Sequence, residues 1–440
     1  MIREIEDYVR SLGLDAYLVG GAVRDELLGL ESKDADFLVP GVDTDTLREA
    51  LAPHGRVEDL VVADRLVGVR LHPSDKRIRS LAPAGIEFAP PRKEVSTGPG
   101  RHDFEIVADA SLSVEDDMRR RDFTVNAMAR RLADGAVVDP LGGRADLEHR
   151  TLRAVSDTSF AEDPLRLVRA LRFISQLGFE LAEETRRQME EEAPAVKLVS
   201  GERIGGGLTA DGMGELSKLL VGARPAEALR IARDTGVLVE LIPEFGPARH
   251  LTDHIFGVVQ ETSDAGDVLA VRLAALFHDV GKPLDSSPRG HAQVAAEIAR
   301  ETMNRFRYPT KLARRVVSIV REHPYRAEDR PKTPREARRF LLEHGDELAF
   351  DVVAMRLADL RAKNRDASGL EELRELLEQE MSSTHHLRNL AVDGDDLIAL
   401  GFLPGPDLGR ALQALLEYVV DHPETNTRDE LVARAKTMLP

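Results

Sequence analysis

Short apolar runs and short helical patterns alternate over the first 150 residues. An apolar run over 16–19 ends at Gly20 and Gly21, and the next segment, AVRDELLG, has apolar residues at helical spacing. The segment DADFLV then alternates polar and apolar residues up to Pro40, and two strand-like segments follow, VVADRLVGVRLHP and GIEFAPPRKE. This order of strand, glycine turn, helix and further strands predicts a mixed sheet-and-helix domain over residues 1–150.

The pattern changes from Ser159 onward, where apolar residues recur at three- and four-residue spacing. Segments such as FAEDPLRLVRALRFISQLGF and PAEALRIARDTGVLVELIPEFG end at Gly or Pro, which is typical of helices. Turn clusters separate this part into three helical units, 151–243, 244–365 and 366–440. The fold class predicted from the pattern is therefore α+β, with a sheet-containing head followed by a mostly α-helical remainder.

Composition limits the chemistry of the chain. Its 440 residues exceed one ordinary core, so roughly two to four compact units are expected. The absence of cysteine excludes disulfides, thiolate zinc sites and a cysteine nucleophile, so that His, Asp, Glu or water must hold any metal. A net charge of −17 argues against general nucleic-acid binding but leaves room for a local basic groove. An enzyme acting on a small molecule is the competing interpretation.

Targeting signals are not evident in the sequence. The first residues, MIREIEDYVRSLGLDAYLVGG, contain no apolar signal core, and no later stretch approaches the apolar length of a membrane span. We therefore expect a cytoplasmic protein that has no membrane partner.

The glycine turn and an acidic pair suggest phosphate chemistry in the head. Asp34 and Asp36 lie two residues apart in a predicted strand, so both carboxylates fall on one face and could share metal ions, for which Mg²⁺ is the natural choice. Transfer from a nucleoside triphosphate needs such cations. Backbone amides at Gly20 and Gly21 could approach phosphate oxygens, and Arg24 could add a charged contact. A solvated strand and an ordinary turn are the alternative interpretations.

Four segments in order carry a family resemblance: GGAVRDELLGLESKDADF, RRRDFTVNAMA, VVDPLGGRADLEHRTLRAV and EDPLRLVRALRF. Together they resemble the class II tRNA nucleotidyltransferase and bacterial poly(A) polymerase superfamily. The resemblance implies a polymerase beta-like nucleotidyltransferase head over 1–150 and a helical neck over 151–243. It also implies template-independent addition or repair of the CCA end of tRNA from CTP and ATP. A poly(A) polymerase or an A-adding enzyme on the same scaffold is the alternative.

The resemblance also implies roles for individual residues. Arg121 and Asp122 would contact the incoming nucleotide, Asp122 by accepting a hydrogen bond from the ribose 2′-hydroxyl. Glu162, Asp163 and Arg166 would form the base-reading site. Asp163 and Arg166 are three residues apart, which predicts that both project from one helix face toward the base while Glu162 holds Arg166 in place.

The sequence does not decide the role of three features in the first half of the chain. Glu87, in GIEFAPPRKE, is either a third carboxylate on a neighbouring strand or an exposed strand residue. The polar segment 92–116 resembles the flexible loop that family members use when they switch from C to A addition. The Gly-rich residues near 201–213 depart from the family pattern and put the geometry of the neck in question.

A second resemblance lies in the region 244–365. His278 and Asp279 end the apolar segment VRLAALFHD, with His254 upstream and Asp359 downstream in MRLADLRAK. This arrangement resembles the H…HD…D metal site of HD phosphohydrolases, which implies a divalent transition metal and phosphatase or 2′,3′-cyclic phosphodiesterase activity on RNA ends.

The remaining histidines and the tail complete the second resemblance. His291 and His323 are either further ligands or phosphate contacts, and an HD fold that binds no metal is the alternative for the whole set.

The segment VDGDDLIALGFLPGPDLGRALQALLEYV resembles the end of HD-bearing CCA enzymes, which implies a tRNA-binding tail over 366–440. From a different class, the chain could be chiefly an HD-type phosphohydrolase whose head docks RNA.

Overall fold

The computed structural model describes residues 2–31, 35–62, 65–96, 104–108, 111–206, 212–324 and 330–439. The chain divides into two compact units, residues 1–243 and 244–440. The four-domain division with boundaries at 150, 243 and 365 stays a prediction. No helix among the described residues is long and apolar enough to cross a membrane.

The first unit contains the strands of the protein that the structure describes. In chain order they are β1 (Tyr17–Val19), β2 (Asp36–Leu38), β3 (Gly55–Val62), β4 (Arg65–Pro73), β5 (Ile86–Ala89), β6 (Arg92–Ser96), β7 (Phe104–Ala108), β8 (Ala129–Arg131), β9 (Val137–Val138), β10 (Thr151–Leu152) and β11 (Glu180–Leu181). The main sheet has the order β3-β4-β5-β2-β1-β8-β9. Only β2 and β5 in it run parallel to each other.

The parallel pair at the centre of this sheet positions two carboxylates. The register aligns Asp36 with Glu87 and Phe37 with Phe88. The two phenylalanine rings are buried and stack with their centroids 5.6 Å apart, which fixes that register on the core side. Because side chains alternate along a strand, Asp36 and Glu87 fall on the opposite face.

The helices of the first unit are α1 (Ile2–Ser11), α2 (Gly21–Leu27), α3 (Thr44–Leu51), α4 (Lys76–Leu81), α5 (Val114–Arg119), α6 (Gly143–Glu148), α7 (Ser159–Glu162), α8 (Leu165–Leu177), α9 (Glu183–Glu192), α10 (Gly201–Gly205), α11 (Glu215–Leu220), α12 (Pro225–Asp234) and α13 (Val237–Leu241). Helix α8 contributes to the core of the first unit, where its residues Leu167, Val168 and Ile174 are completely buried. Phe173 on this helix contacts Phe123 edge to face at 5.7 Å, which ties α8 to the segment that precedes β8.

The segment 92–116, which we expected to be a flexible loop, is described only in part, because 97–103 and 109–110 lie outside the described residues. Its described parts form the antiparallel pair β6 and β7, and its last residues begin α5. The alternating sequence FEIVA suits a strand, and the Ser113 hydroxyl accepts from the backbone N–H of Asp116 in a capping box that starts the helix.

The second unit is helical throughout its described residues. Its helices are α14 (Thr252–Asp264), α15 (Leu269–Phe277), α16 (Pro288–Arg305), α17 (Thr310–Glu322), α18 (Pro334–His344), α19 (Asp346–Ala362), α20 (Ser368–Glu380), α21 (Gly394–Ala399), α22 (Pro406–Asp421) and α23 (Arg428–Lys436). Helix α15 is buried from Ala270 to Phe277. A separate apolar cluster around Leu397, Leu415 and Leu431 joins the last three helices. The predicted α+β class, with the main sheet in the head and mostly helices after it, is confirmed.

Candidate active sites

The glycine pair forms the connection between β1 and α2. Gly20 has φ +71°, a backbone conformation that residues with a side chain rarely adopt. A Cβ at Gly20 would lie 2.5 Å from Nη1 of Arg121. Arg24, one turn into α2, donates from Nη1 to Oδ1 of Asn126 at 2.7 Å. The turn therefore brings Gly20 next to the guanidinium group of Arg121 and Gly21 next to that of Arg24.

The acidic residues of the predicted metal site are only partly described. Asp36 begins β2 and is exposed, whereas Asp34 lies outside the described residues. Glu87 is aligned with Asp36 on β5, and its Oε1 accepts from Nη2 and Nε of Arg70 at 2.5 and 3.2 Å. In this structure Glu87 is thus the partner of Arg70, and its role as a third carboxylate stays a prediction.

A cavity of about 720 Å³ opens between the sheet and helix α8. The residues predicted from the sequence that line it are Gly20, Gly21, Arg24, Asp36, Glu87, Arg121, Asp122, Asp163 and Arg166. Glu162 is not among the lining residues, although it contacts Arg166. The structure therefore brings together residues that are up to 146 positions apart in sequence, from Gly20 to Arg166.

Asp122 is buried at the wall of this cavity, with 8% of its surface exposed. Its Oδ2 accepts from Nη2 and Nε of Arg169 at 2.5 and 2.9 Å, and its Oδ1 accepts from the backbone N–H of Phe123 at 2.8 Å and from Asn126 at 3.0 Å. These four bonds fill the acceptor positions of the carboxylate. Burial by itself would raise the pKa of Asp122, but the charge of Arg169 and these hydrogen bonds lower it to about 2.

Asp163 lies between α7 and α8 rather than within a helix. Its backbone is extended, at φ −139° and ψ 99°, because the following residue is Pro164 and a residue before proline avoids the helical region. The prediction that Asp163 and Arg166 share a helix face is therefore wrong. The Asp163 carboxylate accepts from the backbone N–H of Leu165 at 3.1 Å and from Nη2 of Arg203 at 3.2 Å.

Hydrogen bonds to two backbone carbonyl groups hold the side chain of Arg166 in place. Its guanidinium donates to the carbonyl oxygen of Arg120 at 2.7 Å and to that of Ser159 at 3.3 Å, and it lies 3.5 Å from Oε2 of Glu162. The side chain is buried, but it reaches the cavity that Asp163 also lines. Asp163, whose backbone is extended, and Arg166, which belongs to helix α8, therefore line the same cavity.

Sequence reasoning missed two further arginines of helix α8. Arg169 and Arg172 line the cavity and follow Arg166 at three-residue spacing, a signal that is visible in LRLVRALRF. The carboxylate of Glu215, in α11, lies 3.5 Å from Nη1 of Arg169 and 3.0 Å from Nη1 of Arg172. The sequence around Glu215, which follows the Gly-rich segment, does not indicate that its carboxylate contacts these arginines.

Seven arginines and four carboxylates line the cavity, which gives the acidic chain a locally basic site.

The second unit brings together the four residues of the predicted HD site. His254 belongs to α14, His278 and Asp279 directly follow α15, and Asp359 belongs to α19. Nε2 of His254 lies 3.3 Å from Nε2 of His278 and 3.1 Å from Oδ1 of Asp359. Oδ2 of Asp279 lies 3.2 Å from Nε2 of His278. The four side chains thus form one cluster.

His291 and His323 belong to the same cluster. Their Nε2 atoms lie 3.6 and 3.7 Å from Oδ1 of Asp279, and 3.0 Å from each other. Both rings are buried. The sequence left their role open, and the structure places them around the second oxygen of Asp279.

The chemistry of this cluster fits a divalent metal. Nδ1 of His278 donates to the carbonyl oxygen of Ala275 at 2.8 Å, so the Nε2 lone pair points at the carboxylates. Burial by itself would raise the pKa of Asp279 and Asp359, but neighbouring histidines and Lys282 or Lys363 hold both pKa values well below the usual range. Imidazole nitrogens and ionised carboxylates are the ligands that zinc and similar transition metals prefer.

Comparison with known proteins identifies three family models along the chain. Residues 16–153 match the poly A polymerase head domain, residues 178–248 match a segment described as a probable RNA and SrmB-binding site of polymerase A, and residues 249–360 match the HD domain. The first falls in the unit that contains the cavity, the second lies in that unit except for its last five residues, and the third spans the histidine cluster.

Curated relatives and solved structures agree with these models. The chain is 39% identical over 331 residues to the multifunctional CCA protein of Neisseria gonorrhoeae, covering 70% of this chain and 74% of that protein. It is 34% identical over 430 residues to the multifunctional CCA protein of Thioalkalivibrio sulfidiphilus, covering 91% and 96%. The Bacillus stearothermophilus CCA-adding enzyme in complex with CTP matches with a TM-score of 0.71 and 26% identity, covering 99% and 95%. The Thermotoga maritima CCA-adding enzyme complexed with tRNA shares the fold, with a TM-score of 0.60 and 20% identity over 100% and 94%.

The ion pair between Asp122 and Arg169 predicts a pH-dependent stability of the first unit. The folded pKa of about 2 lies below the ordinary value of 3.8, so Asp122 stabilises the folded state above pH 4 and loses that contribution as pH falls toward 2. Asp122→Asn should therefore lower the free energy of unfolding by roughly 2 kcal/mol at pH 6. Urea unfolding followed by circular dichroism at several pH values measures this difference.

The difference between wild type and Asp122→Asn should shrink below pH 4, because the Asp122 carboxylate of the unfolded chain then takes up a proton, whereas that of the folded chain does so only near pH 2. Asp157→Asn, at an exposed position, is the matched control and should change little at any pH. A difference that is the same at pH 6 and at pH 3 would contradict the assigned pKa.

Proposed function

Because this chain belongs to the family of multifunctional CCA proteins, we propose that it builds or repairs the 3′-terminal CCA of tRNA from CTP and ATP. The observation that carries the proposal is the cavity of about 720 Å³ in the first unit, which the glycine turn, Asp36 and the Asp163–Arg166 segment all line. The CTP complex of the similar Bacillus enzyme supports CTP as one substrate.

The reaction is nucleotidyl transfer. The 3′-hydroxyl oxygen of the tRNA forms a bond to the α-phosphorus of the triphosphate, the bond to the bridging oxygen of the β-phosphate breaks, and pyrophosphate leaves. Asp34 and Asp36 would hold Mg²⁺, which supplies activation of the hydroxyl and neutralisation of the leaving group when it is bound. Arg121, beside Gly20, and Arg24, beside Gly21, bind the triphosphate through charge-assisted hydrogen bonds.

Base selection rests on Asp163 and Arg166. The Asp163 carboxylate accepts a hydrogen bond from the amino group of cytosine or adenine, and the Arg166 guanidinium donates to the ring nitrogen or carbonyl beside it. Uracil and guanine present a carbonyl oxygen in place of the amino group, which leaves two acceptors facing each other. The contacts of Asp163 with Arg203 and of Arg166 with two carbonyl oxygens support the role, because they fix both groups before a nucleotide enters.

Asp122 acts on the nucleotide mainly through Arg169. Its four acceptor positions are filled, so a hydrogen bond from the ribose 2′-hydroxyl would have to displace one of its present donors. The direct ribose contact predicted from the sequence therefore stays a prediction. By holding Arg169 at the cavity wall, Asp122 positions a charge toward the nucleotide.

The histidine cluster supports a second activity, hydrolysis of a terminal phosphate or a 2′,3′-cyclic phosphate on RNA. His254, His278, Asp279 and Asp359 would hold a divalent transition metal, which supplies an activated water when it is bound. The oxygen of that water forms a bond to phosphorus, the ester P–O bond breaks, and the leaving oxygen takes a proton. Lys282 and Lys363, next to the two carboxylates, are placed to contact a phosphate.

Two alternatives differ from this proposal. A poly(A) polymerase on the same scaffold would add long runs of A, and a protein that is chiefly a phosphohydrolase would add no nucleotide at all. The match to a multifunctional CCA protein over 91% of this chain favours CCA addition over both alternatives. The cytoplasmic location expected from the sequence stays a prediction.

Asp36→Asn tests the metal role of the head. Losing one metal-holding carboxylate should lower CMP and AMP incorporation by roughly a hundredfold or more while the fold stays intact. Incorporation of labelled nucleotide into tRNA that lacks its CCA end measures the effect. Asp45→Asn is the matched control, because the side chain of Asp45 is 87% exposed. Near-normal incorporation by folded Asp36→Asn would place the active site elsewhere.

Asp163→Ala tests base selection. The variant should lose discrimination against UTP and GTP by roughly tenfold to a hundredfold, and by more than it loses rate, because the repulsion of a carbonyl oxygen disappears. Single-nucleotide incorporation with each of the four triphosphates measures this, with Asp157→Ala as a nearby exposed control. An unchanged preference for C and A would show that this segment does not read the base.

His278→Ala separates the two chemistries. The HD residues belong to the second compact unit, so the variant should lose metal-dependent hydrolysis of 2′,3′-cyclic AMP by roughly a hundredfold while CCA addition is unchanged. Both activities are measured on the same preparation with several divalent metals. Loss of both activities from a folded variant would contradict independent sites.

A further inference from the structure

An aromatic side chain, Phe173, belongs to the wall of the cavity in the first unit, where helix α8 also presents Arg169 and Arg172. Phe173 has 4% of its surface exposed, and Phe123 contacts its ring edge to face. Neither metal binding nor base selection, as proposed above, gives a role to an aromatic side chain at this position.

Three guanidinium groups lie over the Phe173 ring. The Cζ atom of Arg172 is 4.2 Å from the ring centroid, that of Arg24 is 5.3 Å from it, and that of Arg169 is 5.6 Å from it. All three fall within the distance of about 6 Å at which the negative face of an aromatic ring attracts a cation. Arg24 belongs to α2, whereas the other two arginines belong to α8, so one ring brings together cations from two helices.

Carboxylates restrain the arginines of α8 in a different way. Asp122 accepts from two N–H groups of Arg169, and the carboxylate of Glu215 lies 3.0 Å from Nη1 of Arg172. Such contacts occupy N–H groups that could otherwise donate to a phosphate. A ring that lies against a guanidinium restrains the group without an acceptor atom, so the in-plane N–H groups remain for an anion.

Arg172 depends most on the ring. Its side chain is 14% exposed, and its buried Nε–H has no hydrogen-bond partner among the described residues. Burial lowers the pKa of Arg172, the charge of Glu215 raises that pKa, and the charge of Arg169 lowers it. The face of the Phe173 ring, 4.2 Å away, favours the charged form of Arg172 at this place.

We propose that Phe173 is a positioning residue, whose ring holds Arg24, Arg169 and Arg172 in the arrangement that binds a nucleoside triphosphate. It rests on the proposed function of the cavity, because the triphosphate of CTP or ATP is the anion that these arginines would bind. The ring carries no group that takes part in the reaction. A weaker contact between the ring and the arginines should therefore raise the Kd and the KM of the nucleotide and leave kcat unchanged.

Fluorinated phenylalanines test the role of the ring in the full-length chain. Phenylalanine that carries one, two or three fluorine atoms, incorporated in place of Phe173 by stop-codon suppression, keeps the ring but progressively weakens the negative potential of its face. The Kd of CTP, measured by equilibrium dialysis, and the KM of CTP in CMP addition to tRNA should rise together by roughly threefold to tenfold across the series. The kcat should stay within about twofold of that of the unsubstituted protein.

The same fluorinated series at Phe179 is the matched control. Phe179 is 1% exposed and is not among the residues that line the cavity, so the Kd and the KM of CTP should stay constant. Phe173→Leu, which keeps a buried apolar side chain but removes the ring, should raise both constants at least as far as three fluorine atoms do. If Phe173→Leu does not fold, the fluorinated series decides alone, because it keeps the ring.

A stepwise rise in the Kd and the KM of CTP at Phe173, with constant values at Phe179, supports the positioning role. Constant values across the series at Phe173 would overturn it and leave the ring as a packing residue. A fall in kcat without a change in Kd, or an equal rise at both positions, would overturn it as well. If the unsubstituted protein adds no CMP to tRNA, the proposed function of the cavity fails, and the Kd of CTP across the series still decides the role of the ring.

Discussion

The first unit depends on the buried contact between Asp122 and Arg169. The carboxylate belongs to the segment that follows α5 and the guanidinium to α8, so one ion pair joins the sheet to the helix that forms the other wall of the cavity. Removing both charges from water costs free energy. Further contacts offset that cost: the backbone N–H of Phe123 and the side chain of Asn126 also donate to Asp122, and Glu215 lies near Arg169. A buried network of this kind holds a single arrangement, which a site that selects a nucleotide without a template requires.

The two units use different ligand chemistry for phosphate. The head combines carboxylates with seven arginines around an open cavity, which suits a hydrated magnesium ion and a highly charged triphosphate. The HD cluster combines buried imidazoles with two carboxylates, which suits a transition metal and a single phosphate group. The seven arginines concentrate positive charge around the cavity of the first unit, although the chain as a whole carries a net charge of −17.

The sequence and its family resemblance predicted the order of the elements and named nine of the residues that line the cavity of the first unit. They failed where a local signal was overridden or absent. Pro164 forces Asp163 out of the helix that its spacing suggested, and the described parts of the segment 92–116 include two paired strands and a capped helix start that its polar composition did not indicate. Glu215 could not be found from its neighbours, because tertiary packing alone brings it to Arg169 and Arg172. The pairing of His291 with His323 likewise depends on how α16 and α17 pack.

Addition of the three CCA nucleotides to tRNA, and of no more, is the function expected of the cavity in the first unit. Its most direct test is to give the wild-type chain a tRNA that lacks its last three nucleotides and to resolve the products at single-nucleotide length. We expect a product three nucleotides longer with CTP and ATP together, and two nucleotides longer with CTP alone. Long runs of A, or no extension by the folded protein, would contradict the account.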